Sequence, residues 1–178
     1  MNASDSKVDV NQTRRGRILN PADLQAYIDR HELQARLVVL PVPTPTVEAA
    51  AKAVGIGPAQ IIKSLLFWIK SEPILVVARG LFRVDPRLLA RHFRVGRKQV
   101  KLVGAGDVLQ ISGYPIGAVP PFGHHTTLKT LMDAGVLQDQ EVYAGGGAMN
   151  YLMRVSPEEI LRVTGATVLE LQTLDSTG

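Results

Sequence analysis

"IIKSLLFWIKSEPILVVARG", Ile61 to Gly80, decides how the rest of this chain is read. Two runs of β-branched and apolar residues flank a polar turn at Ser71–Glu72, the pattern of a β-hairpin. Alternation in the first run puts Lys63, Leu65, Phe67 and Ile69 on one face and Ile62, Ser64, Leu66 and Trp68 on the other. Both faces are apolar, so a central strand is predicted. Lys63 is the exception. Burying an ammonium is costly unless it reaches an opening or meets an anion. Lys63 therefore either snorkels from a strand end or floors a pocket for an anionic ligand. Ser64 points to the opposite face, which argues against a Ser–Lys nucleophile dyad.

Working outward, "NPADLQAYIDRHEL" starts a helix with an Asn cap and Pro at the first position. "RLVVLPV" is a short strand. "TPTVEAAAKAVGI" is a helix capped by Thr46 and closed by Gly55. "DPRLLARHF" is a helix capped by Asp85, with Pro86 first. "VKLV" reads as a strand and "DVLQISG" as a short helix capped by Asp107. "LKTLMD", "EVYAGGG", "YLMRVS" and "ATVLEL" are strands, with a turn of helix in "AGVLQ". "SPEEILRVTG" is a helix whose Ser156 and Glu159 have capping-box spacing. Strands and helices that do not alternate as βαβ units predict an α+β fold with a mixed sheet.

The chain has 178 residues, enough for a single domain with a real core. A polar, aperiodic stretch over residues 1–17 is expected to be a disordered tail, leaving one domain over 18–174. There is no cysteine, which excludes a disulfide scaffold, a thiolate nucleophile and a cysteine zinc site. No apolar run reaches the roughly 18–20 residues of a membrane span, and the N-terminus lacks a secretory h-region. A cytoplasmic protein without a membrane partner is expected.

Charge is uneven. Residues 79–101 carry eight Lys or Arg and one acid, Asp85, a net +7; the remainder is −3. Arg83, Arg87, Arg91 and Arg94 recur every three or four residues, so one helix face is expected to carry them. Such a stripe is either a solvated face or a contact for phosphates.

Three further features are candidates for chemistry. "GYPIGAVPPFG" combines Gly113, Gly117 and Gly123 with prolines. Prolines stiffen a loop and remove donors, leaving carbonyls free to accept from a substrate ammonium. The alternative is a plain connection, with room for a cis-proline. "YAGGGAMN" is either a hairpin turn or an amide cradle for an anion. His124 and His125 are adjacent, a poor chelating pair, and no HExxH accompanies them. No metal or other cofactor is expected. No GxSxG elbow or triad is present, so any catalysis would rest on positioning and electrostatics.

Taken in order, "IIKSLLF", "GYPIGAVPPFG", "LMD" and "VYAGGGAMNYLMRVSPEEIL" resemble the YbaK-type, prolyl-tRNA-synthetase-associated editing domain over about Thr44 to Leu171. The resemblance implies a mixed, barrel-like sheet flanked by helices. It also implies a free-standing trans-editing hydrolase acting on mischarged aminoacyl-tRNA, commonly Ala or Cys on proline tRNA. By that resemblance Lys63, Gly117 and Asp133 are catalytic. Pro121, Gly123, His124, Gly145, Gly146 and Gly147 bind substrate, and Arg83, Arg87, Arg91 and Arg94 hold tRNA. Partners so implied are the acceptor stem and terminal adenosine of aminoacyl-tRNA, and an aminoacyl-tRNA synthetase. Two other readings remain open: a non-catalytic RNA-binding module of the same fold, and a metal-dependent hydrolase using the histidines.

Overall fold

The computed structural model describes residues 16–172. The expected disordered tail falls outside the described residues except for its last two positions.

The hairpin forms as its alternation predicts. β2 (Ile62–Ile69) pairs antiparallel with β3 (Glu72–Arg79), setting Lys63 opposite Ala78 and Trp68 opposite Pro73. Ile62, Leu66, Leu75 and Val77 enter one core; Phe67, Ile69, Ile74, Val76 and Ala78 enter another. Around the hairpin, a five-stranded mixed sheet assembles in the order β4-β2-β3-β5-β8. β4 (Val100–Leu102) is an edge strand antiparallel to the far half of β2. β5 (Lys129–Asp133) runs parallel to β3, and β8 (Thr167–Leu169) parallel to β5. A second, antiparallel sheet has the order β1-β7-β6, from Ala35–Val39, Tyr151–Val155 and Val142–Gly145.

The expected barrel does not close. Among the described residues the two sheets are linked by one parallel bridge, Ile61 to Tyr143. Beyond it β2 and β6 form no ladder. Their inner faces share a core holding Leu66, Val77, Met132, Ala144, Met153 and Val155. That core is completed by Leu24 and Ile28 of α1 (Pro21–Arg30), Val108 of α4 (Ala105–Ser112) and Ile160 of α5 (Pro157–Thr164). α3 (Pro86–Phe93) covers the outer face of the larger sheet through Leu89 and Ala90. α2 (Val47–Val54) covers the outer face of the smaller one through Ala50 and Ala51. The result is five layers, helix–sheet–core–sheet–helix.

Most caps follow the sequence. Asn20 accepts from Ala22 N at 2.8 Å while its own N–H donates to Asp23 Oδ2 at 2.9 Å. Thr46 and Asp85 cap α2 and α3 by accepting from Ala49 N and Arg87 N. Two expectations are corrected. α4 starts one turn earlier than read: Gly104 is its cap, and Asp107 lies inside the first turn, where a carboxylate favours the helix dipole. Ser156 does accept from Glu159 N at 3.1 Å, but the Glu159 carboxylate does not return to close the box. It accepts instead from Gln34 N at 2.7 Å and from Arg162, stapling α5 to the entry of β1. The Arg162 hydrogen bonds hold the Glu159 carboxyl below its ordinary range, outweighing burial, which raises it. A depressed carboxyl stabilises above its unfolded value and loses that contribution as pH falls through the folded one. Glu159→Gln is therefore expected to lower Tm at neutral pH, with the gap to wild type shrinking as the pH falls below about 4, followed by thermal melts.

Candidate active site

Lys63 lies where the two sheets part. Its face of β2 is the outer one, shared with Leu65 and Phe67. Its Nζ donates to the carbonyl of Gly80 at 3.0 Å. Gly80 is held there because its N–H donates to Ile61 O at 2.7 Å and its Cα packs on Val47 of α2. Lys63 thus emerges between α2 and α3, beside the turn Gly80–Arg83. No carboxylate pairs with it among the described residues. Burial, and then the nearby Arg83 charge, hold its ammonium below the ordinary lysine value. Two cations share this spot without an anion between them.

The two glycine motifs meet directly. Gly147 N donates to Ala118 O at 3.0 Å. A Cβ on Gly145 would lie 2.6 Å from Val119 O and 2.7 Å from Ala118 C, so only glycine lets β6 run this close to the loop. Gly117 takes φ +86°, a left-handed turn against the Met149 sulfur. The register of the Ile61–Tyr143 bridge sets Lys63 level with Gly145. Gly145 is two residues beyond Tyr143 and so faces outward, as Lys63 does. The Ala118–Val119 loop thus packs against Gly145, and the bridge register places Gly145 at the level of Lys63.

The remaining candidates fall into place unevenly. The Gly146 and Gly147 amides already donate, to Tyr151 O and Ala118 O, so their visible work is to close the turn. In the loop the described peptide bonds are all trans. Ala118 O and Pro120 O are occupied, whereas Gly117, Val119 and Pro121 carbonyls accept nothing among the described residues. Gly123 takes φ +80° against Leu24 and Tyr27, and its carbonyl accepts from Tyr114.

His124 bonds Pro120 O through Nε2 at 2.7 Å. Burial pushes it down to about 4, against the Pro120 bond, which raises it, and with a smaller lowering from His125. A neutral ring then donates to the carbonyl and braces the loop from behind. A His with a depressed folded value stabilises fully above its unfolded value near 6.5 and loses that contribution as pH falls toward 4. Tm is expected to drop over that window, and less steeply in His124→Gln, by thermal melts across pH. Among the described residues no cluster of three metal-ligating side chains occurs.

Asp133 is 1 % exposed, and both its oxygens are engaged: Oδ1 by Gly135 N at 2.9 Å and Oδ2 by Leu171 N at 2.8 Å. It lies on the Lys63 face but two strands away, across β3, at about 10 Å. It ties β8 to β5. Asp133→Ala orphans one buried amide, Leu171, and one half-buried amide, Gly135, and a loss of about 2–3 kcal/mol is expected, with Tm falling by on the order of 10 °C. Unchanged melting with lost activity would instead make it a participant in the chemistry.

The arginines do not form one helix face. Only Arg87 and Arg91 lie on α3; Arg83 precedes it, and Arg94 is its left-handed C-cap at φ 53°. Arg87 is also paired, its guanidinium on Asp85 at 2.9 Å. Leu81 and Phe82, which follow Gly80 directly, are exposed and are not among the residues expected at the site from the sequence. Two large apolar residues just past a strand end were the signal.

Residues 42–163 match the family described as aminoacyl-tRNA editing domain. The chain belongs to that family. A proline–tRNA ligase of Thermotoga neapolitana is 30% identical over 108 residues, 59% of this chain and 18% of the ligase. The uncharacterized protein YwhH of Bacillus subtilis is 29% identical over 116 residues, 65% of this chain and 72% of YwhH. The crystal structure of a proposed trans-editing enzyme for prolyl tRNA synthetase superposes with TM-score 0.81 at 32% identity, covering 86% of this chain and 97% of that one. This editing domain therefore spans about a fifth of the ligase it matches but nearly the whole of that solved structure. No described helix is long and apolar enough to cross a membrane.

Proposed function

We propose that this protein is a free-standing, cytoplasmic trans-editing deacylase that hydrolyses the ester of mischarged aminoacyl-tRNA, with Ala or Cys on proline tRNA as the leading substrates. The observation that carries the reading is Lys63: a half-buried ammonium beside Arg83, with the Gly80 carbonyl as its partner and no carboxylate paired with it among the described residues. The terminal nucleotide of a charged tRNA brings an anion that these two cations can pair with. Lys63 and Arg83 hold its phosphate or ribose, and Phe82 offers a face to the base. The carbonyls of Gly117 and Val119 accept from the α-ammonium.

The reaction needs little more. Water adds to the ester carbonyl carbon and the bond to the ribose oxygen breaks, giving the free amino acid and a tRNA with its terminal hydroxyl restored. The ester is already activated, so holding it, orienting a water and stabilising the developing oxyanion suffice.

The test is deacylation of proline tRNA charged in turn with Ala, Cys, Ser, Thr and Pro. Hydrolysis of one or two non-cognate esters, sparing prolyl-tRNA, is expected. Absence of hydrolysis with salt-sensitive tRNA binding would replace the deacylase by an RNA-binding module. Chelator-sensitive hydrolysis would bring back the metal-dependent reading.

A further inference from the structure

The basic belt of residues 79–101 is split by the sheet. α3, with Arg87 and Arg91, covers one face. Trp68 lies on the other: it packs against the inner core, and its β4 neighbour in register is Lys101, which shares its face. Trp68, Lys70, Ser71, Lys98, Gln99 and Lys101 line an open hollow of about 540 Å³. Lys70 takes a left-handed conformation, φ 58°, and its N–H donates to Gln99 O at 2.8 Å. That bond docks the 97–99 turn on the hairpin end and draws Lys98 toward Lys70.

The lysines here are unspent. None of the three is in an ion pair among the described residues, and the one cation–ring contact there is Lys129 over Phe93, elsewhere. The hollow has no acid in its lining; Glu72, at the hairpin end, stands exposed beside it. A half-buried indole among three free ammoniums is the arrangement that takes a base on the ring and phosphates on the cations.

We propose that this hollow binds an unpaired nucleotide of RNA together with its flanking phosphates, as a second contact about 17 Å along β2 from Lys63. The assignment of the RNA as tRNA rests on the deacylase reading.

Trp68 is the single tryptophan of the chain, so its fluorescence reports on this hollow alone. Uncharged tRNA and a single-stranded RNA octamer are expected to quench it, with a midpoint matching binding measured by filter retention. An RNA duplex without unpaired bases and poly-glutamate are expected to leave it bright. Lys98→Glu with Lys101→Glu should raise Kd at least tenfold and lower the slope of log K against log salt by about 1.5–2. Trp68→Leu should weaken binding about tenfold and Trp68→Phe less. Equal quenching by duplex or poly-glutamate, or an unchanged salt slope in the double variant, overturns the proposal. Lys63→Ala separates the two readings: quenching kept while hydrolysis is lost supports both. RNA binding without hydrolysis in the wild type keeps the hollow and removes the deacylase. Hydrolysis indifferent to Lys98 and Lys101 does the reverse.

Discussion

Lys63→Ala is expected to lower kcat/KM for deacylation by about 100-fold or more, without weakening the fold. Under the proposed function the loss follows from removing a charge that meets the substrate's negative charge, worth about 3 kcal/mol in comparable sites. The fold is spared because the free protein gains little from this charge. Burial and Arg83 hold the ammonium below its ordinary value, so the unfolded chain binds that proton more tightly. Charged Lys63 thus costs stability at neutral pH, and the cost disappears as pH rises toward the unfolded lysine value. Lys63→Met, which keeps the apolar stem, should therefore melt higher than wild type near pH 7 while remaining inactive. Lys63→Arg keeps the charge but not the shape, and should recover affinity more than turnover. Loss of stability in Lys63→Met, or hydrolysis at the wild-type rate, would falsify the role given to this residue.

Gly145→Ala should be nearly as damaging for a different reason. The new methyl meets backbone, Val119 O at 2.6 Å and Ala118 C at 2.7 Å, and no rotamer can relieve it. Either β6 or the loop must retreat. The strain should cost about 1–3 kcal/mol. A displacement approaching an ångström at the carbonyls proposed to hold the α-ammonium is enough to lower hydrolysis about 100-fold. Gly106→Ala is the control: it lies within α4, and its added methyl meets nothing within 4 Å. It should gain about 0.4–1 kcal/mol and leave turnover unchanged. Equal behaviour of the two variants would mean that the contact between β6 and the loop does not govern the site.

What could be read from the sequence was local. The hairpin, the alternation that isolates Lys63 and most caps follow from residues close together in the chain. Partners far away decided the rest. Nothing near Asp133 announces that Leu171 N will use its carboxylate, nor near Gly147 that Ala118 O will use its amide. Gly104 displaced Asp107 as a cap because a backbone in the extended region suffices to start α4. The belt is continuous along the chain but not in space, because alternation in β4 turns Val100 and Lys101 to opposite sides of the sheet.

The single bridge between the sheets also bears on when the protein becomes competent. β1 finds its partner β7 more than a hundred positions later, and β6 precedes β7 immediately. Such distant pairing is slow, because loop closure must precede any reward from contacts. The hairpin can form early, but Gly145 and the loop packed on it do not reach the level of Lys63 until β6 and β7 have docked on β1. A chain growing at about 5–20 residues per second would carry its lysine and its proline-rich loop for several seconds before Val155 emerges. Throughout that interval a nascent copy has no assembled site, so under the proposed deacylase function it leaves the charged tRNAs around the ribosome intact.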